Sequence, residues 1–205
     1  MRKVFCNPGA CLRLFLLRLF PGLAFLVLTI VFGACTSLSE KGASDDSGVF
    51  FDLDQLVSEQ TKYLASIQPE VEKELRLNGK AERLVLGEVD WDDELALFRL
   101  ADINKASYQD SYEVDRSTPQ VEDYWLKPGH TLPVRRLKVH YNAGAATEVF
   151  AEMKVENKLF DSYKELTLRL DGNSAKNRLL SYELKGFQQW LLGEKTSFEV
   201  KGTIK

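Results

Sequence analysis

From Asp110 to the last residue the chain repeats one pattern, and that pattern leaves few folds open. Stretches of five to twelve residues with partial period-two alternation are separated by short turns. The stretches are Ser111–Asp115, Val121–Leu126, Val134–Tyr141, Thr147–Val155, Leu159–Leu170, Leu179–Gln189 and Ser197–Ile204. Ser117-Thr118-Pro119, Lys127-Pro128-Gly129, Asn142-Ala143-Gly144, Glu156-Asn157 and Asp171-Gly172-Asn173 supply the turn chemistry between most of them. Successive strands joined by such short links pair antiparallel, because a parallel crossover needs a dozen or more residues. In Val134–Tyr141, Leu137, Val139 and Tyr141 share one face, and Arg136, Lys138 and His140 share the other.

The residues before this run read differently. Phe50, Leu53, Leu56, Val57, Gln60, Leu64 and Ile67 follow the three-four spacing of one helix face, with Asp52 as N-cap and Pro69 as stop. Val71–Leu77 and Glu82–Leu86 flank Asn78-Gly79, which favours a type I′ hairpin turn. Asp90 caps a second helix predicted over Trp91–Ala101, whose first turn holds Asp92, Asp93 and Glu94, where the helix dipole favours negative charge. The expected fold is α+β: two amphipathic helices and a hairpin, then a curved antiparallel meander of six or seven strands, open or rolled into an open barrel. One sheet face needs cover, and the helices are the available lids.

Ahead of residue 49 the sequence carries an address. The apolar run Leu19–Ala34 follows Arg2, Lys3, Arg13 and Arg18, and Pro21-Gly22 interrupts its start. It is shorter than the roughly 20 apolar residues of a spanning helix and has the basic lead of an export signal; the alternative is an uncleaved membrane anchor. The tetrad Phe32-Gly33-Ala34-Cys35 resembles the lipobox of bacterial lipoproteins. That resemblance implies cleavage before Cys35, fatty acylation of its thiol and of the new amino terminus, and, with Thr36 following, sorting to the outer membrane. Several acyl chains suit stable anchoring, since one chain binds only marginally. The expected divisions are a signal peptide over residues 1–34, a lipidated tether over 35–48 and a single domain over 49–205. The tether Thr36–Gly48 is rich in Ser, Gly and Asp and poor in apolar residues.

Composition narrows the partners. The net charge is −3, and loss of the four basic leader residues makes it −7. An acidic domain is not built to hold nucleic acid. Cys6 and Cys11 leave with the leader, so an acylated Cys35 leaves no disulfide-linked partner and no thiolate zinc site. No cofactor is expected, and no metal or catalytic residue is assigned: G-x-S-x-G, H-E-x-x-H, P-loop, G-x-G-x-x-G and EF-hand patterns are absent.

One stretch is denser in polar side chains than a connector requires: Ala101–Asp115, holding Asp102, Asn104, Lys105, Tyr108, Asp110 and Tyr112. Asp102, Asn104 and Lys105 suffice to close the preceding helix. The functional alternative is a polar pocket at the mouth of the sheet, with Tyr108 and Tyr112 stacking on a ligand. The run resembles a D-I-N-K…D-S-Y segment of bacterial envelope lipoproteins, a resemblance that implies no activity. Trp125, and Trp190 with Leu191-Leu192, stand at strand ends, where aromatics serve as core plugs or as a rim contacting lipid or glycan.

Two functions follow. One is a non-enzymatic, membrane-anchored envelope lipoprotein, either binding a lipid-like molecule, a glycan or an envelope protein, with a cavity between helices and sheet as the natural ligand position, or serving in assembly, which an exposed apolar patch would show. The other is an envelope hydrolase acting on peptidoglycan or polysaccharide, which requires two converging carboxylates, at least one raised in pKa by burial.

Overall fold

The computed structural model describes residues 50–173 and 175–205. The leader, the lipobox with Cys35 and the tether lie outside the described residues.

Phe50 leads into α1, Leu53–Ile67. Asp52 caps it as its spacing predicts, its side chain accepting from Gln55 N at 2.7 Å. The helix ends at Gln68, in the left-handed conformation, one residue before Pro69. The hairpin follows as β1, Val71–Leu77, and β2, Lys80–Leu86. Asn78 and Gly79 have φ of 48° and 83°, the positive pair that a type I′ turn demands.

Helix α2 covers Trp91–Arg99, with Asp90 accepting from Asp92 N and Asp93 N. It stops two residues short of the predicted Ala101. Ala101 N and Asp102 N donate three residues back, to Phe98 O and Arg99 O, so the final turn tightens instead of continuing. A 3-10 turn at Ala106–Tyr108 precedes the strands.

All seven expected strands are present: β3 Tyr112–Thr118, β4 Val121–Leu126, β5 Val134–Asn142, β6 Ala145–Glu156, β7 Phe160–Leu170, β8 Leu179–Trp190 and β9 Thr196–Ile204. They form the expected antiparallel meander. The sheet nevertheless has nine strands, in the order β2-β1-β9-β8-β7-β6-β5-β4-β3. The hairpin is not a separate unit: β1 pairs with β9 from Val71↔Ile204 to Leu77↔Phe198. Strands β2 and β3 are the two edges, so the sheet stays open and the barrel alternative is set aside. The chain passes from one edge to the other through α2 and residues 100–111.

Register decides what each face carries. Tyr124, Leu137, Ala151, Leu166, Leu184 and Val200 are directly opposed in successive strands, and so share one face. Both helices supply side chains to the core built on that face. Leu53, Val57 and Leu64 of α1 and Trp91, Leu95 and Phe98 of α2 join Val139, Val149, Leu168 and Tyr182 in one buried cluster. Trp91, Tyr124 and Tyr182 are among the largest fully buried side chains, so the space between helices and sheet holds packed rings.

Two polar latches fix the layers. Gln60, on the buried stripe of α1, donates to Asn177 O and accepts from Leu179 N, both at 2.8 Å. Glu94 of α2 accepts from Tyr182 Oη at 2.5 Å and pairs with Lys73 of β1 at 2.8 Å. The Tyr182 ring lies across Gly202: a Cβ added there would come within 2.1 Å of ring Cζ. Only glycine leaves room for that crossing.

Candidate functional site

The Ala101–Asp115 stretch packs against Phe50 and Leu53 and forms a seam there. Asp102 is buried, and its Oδ1 accepts from Leu53 N at 3.3 Å, a first-turn donor of α1 that has no partner within the helix. Burial raises its carboxyl pKa above the ordinary value, against the lowering effect of hydrogen bonds from the Asn104 and Leu53 backbones. Asn104 Oδ1 accepts from Phe50 N at 3.3 Å. Tyr112 is buried, donates to Val134 O at 2.9 Å, and packs edge-on against Phe50 at 5.8 Å. Tyr108 is tilted against Tyr112 at 6.4 Å, with Lys105 Nζ 5.4 Å from its ring centroid. Asp110 is exposed, and its carbonyl accepts from Lys127 Nζ. Asp102, Asn104, Tyr108 and Tyr112 therefore come together, but around Phe50 and Leu53 of the same chain.

Trp125 does not join them. It is one residue from Leu126, which opposes Tyr112, so its side chain leaves the other face of the sheet. There the Arg136 guanidinium lies 3.8 Å from its ring centroid, while Arg136 grips Asp123 at 2.8 and 2.5 Å. His140 shares that open face, and His130 is exposed in the β4–β5 loop.

Next to the seam, Glu122 gathers donors. Its carboxylate accepts from Tyr124 Oη at 2.5 Å, Tyr141 Oη at 2.9 Å and Arg116 Nε at 2.8 Å. Burial works against the Glu122 charge, but these donors outweigh it and hold the pKa below its ordinary value. Burial and the adjacent carboxylate push the Tyr124 phenol up to about 12. That phenol also accepts from Phe51 N at 3.2 Å, tying the segment before α1 to the sheet.

The uncovered face carries the site that the sequence did not single out. Cross-strand registers align two rows. Arg136, Glu152, Glu165, Lys185, Glu199 and Arg76 face one another in turn from β5 to β1. Lys154, Tyr163, Phe187 and Ser197 form the adjacent row. Opposite charges mostly meet: Lys185 pairs with Glu165 at 2.9 Å, and Arg76 with Glu199 at 3.9 Å. Tyr163 and Phe187 stack at 6.0 Å with planes 22° apart. Tyr163 Oη donates to Glu165 at 2.7 Å, and Lys195 Nζ stands 3.6 Å from the Phe187 ring centroid.

Over these rows runs a groove of about 510 Å³, lined by Tyr163, Phe187, Glu165, Lys185, Glu199 and Arg76 among others, with Asn78-Gly79 at its end. Burial opposes the Glu165 charge, but Tyr163 and Lys185 prevail and lower its pKa. The groove thus presents the stacked Tyr163 and Phe187 rings, the latter with Lys195 over it, beside charges already balanced. Each strand's alternation places these residues on a polar face. Which residues meet across strands depends on register, which no single strand encodes.

A further groove of about 590 Å³ separates α1 from α2, where Arg99 is held by Asp92 at 2.6 Å. The hydrolase expectation needs two converging carboxylates with one raised by burial. Asp102 is raised, yet it is spent on the α1 N-terminus, and Glu122 and Glu165, on opposite faces of the sheet, are each lowered. Among the described residues, no group of three or more His, Cys, Asp or Glu is arranged to hold a metal ion. No helix among them is long and apolar enough to cross a membrane. Compared with known protein families, curated proteins and solved structures, the chain matches none of them.

Proposed function

We propose that the chain is a lipid-anchored envelope protein, moored through Cys35, whose domain binds glycan without catalysis on its open sheet face. The observation that carries the binding half is the Tyr163–Phe187 stack flooring a groove walled by paired charges. Aromatic faces suit the C–H faces of sugar rings, and polar side chains at their edge suit hydroxyls. The lipobox tetrad supports the anchor, and Thr36 supports the outer membrane. Carriage of a lipid-like molecule in the interior is less well supported, because Trp91, Tyr124 and Tyr182 fill the space such a cargo needs.

The test has two arms. Cys35→Ser should move the protein from the membrane to the soluble fraction, and retention in the membrane would refute the anchor. Calorimetric titration of the full chain with peptidoglycan fragments and envelope polysaccharide tests the groove. Tyr163→Ala or Phe187→Ala should weaken binding roughly three- to tenfold, the worth of one aromatic contact. No heat with any glycan, or unchanged affinity in both variants, would refute it.

A further inference from the structure

The far end of the sheet carries apolar side chains that the fold does not use. The β6–β7 turn contributes Leu159, the end of β8 contributes Trp190, and the β8–β9 loop contributes Leu191 and Leu192. Their exposures are 64%, 62%, 68% and 99%. The two connections form one tip: Leu191 N donates to Leu159 O at 2.9 Å, and Phe160 lies against Trp190 at 4.8 Å. Gly193 N closes the turn by donating to Trp190 O at 3.0 Å. The helices do not cover this end. The β7 residues in the core are Leu166, Leu168 and Leu170, so Phe160 projects about 20 Å beyond Leu166 at ~3.3 Å per residue.

We infer that this tip seats in the interfacial layer of the bilayer that carries the chain's own anchor. The inference rests on the reading of Cys35 as the lipidated residue. A convex tip of leucines beside a tryptophan suits that layer, where the indole ring holds its apolar body in hydrocarbon and its N–H among headgroups. Chain length allows an anchor at Cys35 and the tip to reach one surface. Fourteen residues lie between Cys35 and Phe50, a reach of up to ~48 Å. Strand β7, with eleven residues, spans about 36 Å. Charge at the tip is balanced, Lys154, Lys158 and Lys195 against Glu156, Asp161 and Glu194. Seating is therefore driven by apolar burial, and it neither needs anionic lipid nor weakens with salt.

The experiment uses the full lipidated chain in vesicles of phosphatidylethanolamine and phosphatidylglycerol, with part of the lipid brominated near the headgroup end of its chains. Tryptophan emission should shift blue and be quenched by the bromine. Trp190→Phe should abolish the quenching, because Trp91 is buried and Trp125 lies under Arg136 on the open face. Leu191→Asp with Leu192→Asp should abolish it too, without loss of fold, since both side chains are exposed. Quenching should persist at high salt and in vesicles lacking phosphatidylglycerol. Trp190 emission that stays in water in the anchored protein would overturn the inference. So would a blue shift in lipid-free Cys35→Ser protein that grows with concentration, which would mean that a second copy covers the tip. If Cys35→Ser is released while anchored Trp190 stays in water, the tip fails and the anchor stands. If Cys35→Ser stays on membranes with Trp190 quenched, the anchor fails and lipid contact by the tip stands.

Discussion

Gly202→Ala tests the layer packing most sharply. The added Cβ would lie 2.1 Å from Tyr182 Cζ and 2.3 Å from both Cε1 and Oη. Ordinary carbon contacts need about 3.5 Å, so the ring must withdraw by about 1.4 Å. Tyr182 is 2% exposed and packs edge-on against Phe98 at 6.3 Å, so it cannot swing freely aside. Withdrawal also stretches its 2.5 Å hydrogen bond to Glu94. Overpacking a core costs about 1–3 kcal/mol, and a hydrogen bond to a charged group is worth about 1.5–3 kcal/mol. Glu94 keeps Lys73, so a total near 3–4 kcal/mol is expected, a large share of the roughly 5–15 kcal/mol that holds a domain together. At 2–4 °C per kcal/mol, Tm should fall by roughly 10 °C. Urea unfolding followed by near- and far-UV circular dichroism reads the loss. In a Tyr182→Ala background, Gly202→Ala should cost far less, because the clash partner is gone. A loss below 1 kcal/mol in the otherwise native protein, or an equal loss in both backgrounds, would refute the reasoning.

Other expectations concern the two carboxylates at the seam. Asp102→Ala should cost about 1–2 kcal/mol in urea melts, because it strands the Leu53 N–H of α1. The Asp102 pKa is raised in the fold, so protonation favours the native state. Relative to Asp102→Asn, the native protein should lose stability as pH rises from 3.8 through the raised value, and then level off. Glu122 behaves oppositely. Its lowered pKa adds stability that is complete above the ordinary 4.5 and is lost as pH falls through the folded value. Glu122→Ala should cost about 1–3 kcal/mol near neutral pH by leaving the buried Tyr124 O–H without its acceptor, and less in acid; an equal cost at both would count against the network.

Much of the architecture was local and therefore legible. Asp52, Asp90, Pro69 and Asn78-Gly79 act through neighbours within a few residues, which is why both helices start, and the hairpin turns, where their spacing puts them. Short turns forced the antiparallel meander. The seam was legible only in part. Asp102, Asn104 and Tyr112 were conspicuous as polar residues in a connector, but their partners, Leu53, Phe50 and Val134, stand 49, 54 and 22 positions away. The groove was not visible at all, since Tyr163, Phe187 and Ser197 meet only through register.

What the sequence determined by itself is the set of elements, because caps, turns and apolar periodicity operate over one or two turns of chain. What the tertiary structure decided is their arrangement: that β1 pairs with β9, that Gly202 lies beneath Tyr182, and which sheet face the helices cover. The reason is physical. Pairing of strands more than a hundred residues apart is won by the joint burial of apolar faces and the matching of cross-strand charges, and neither quantity exists until the chain has come together.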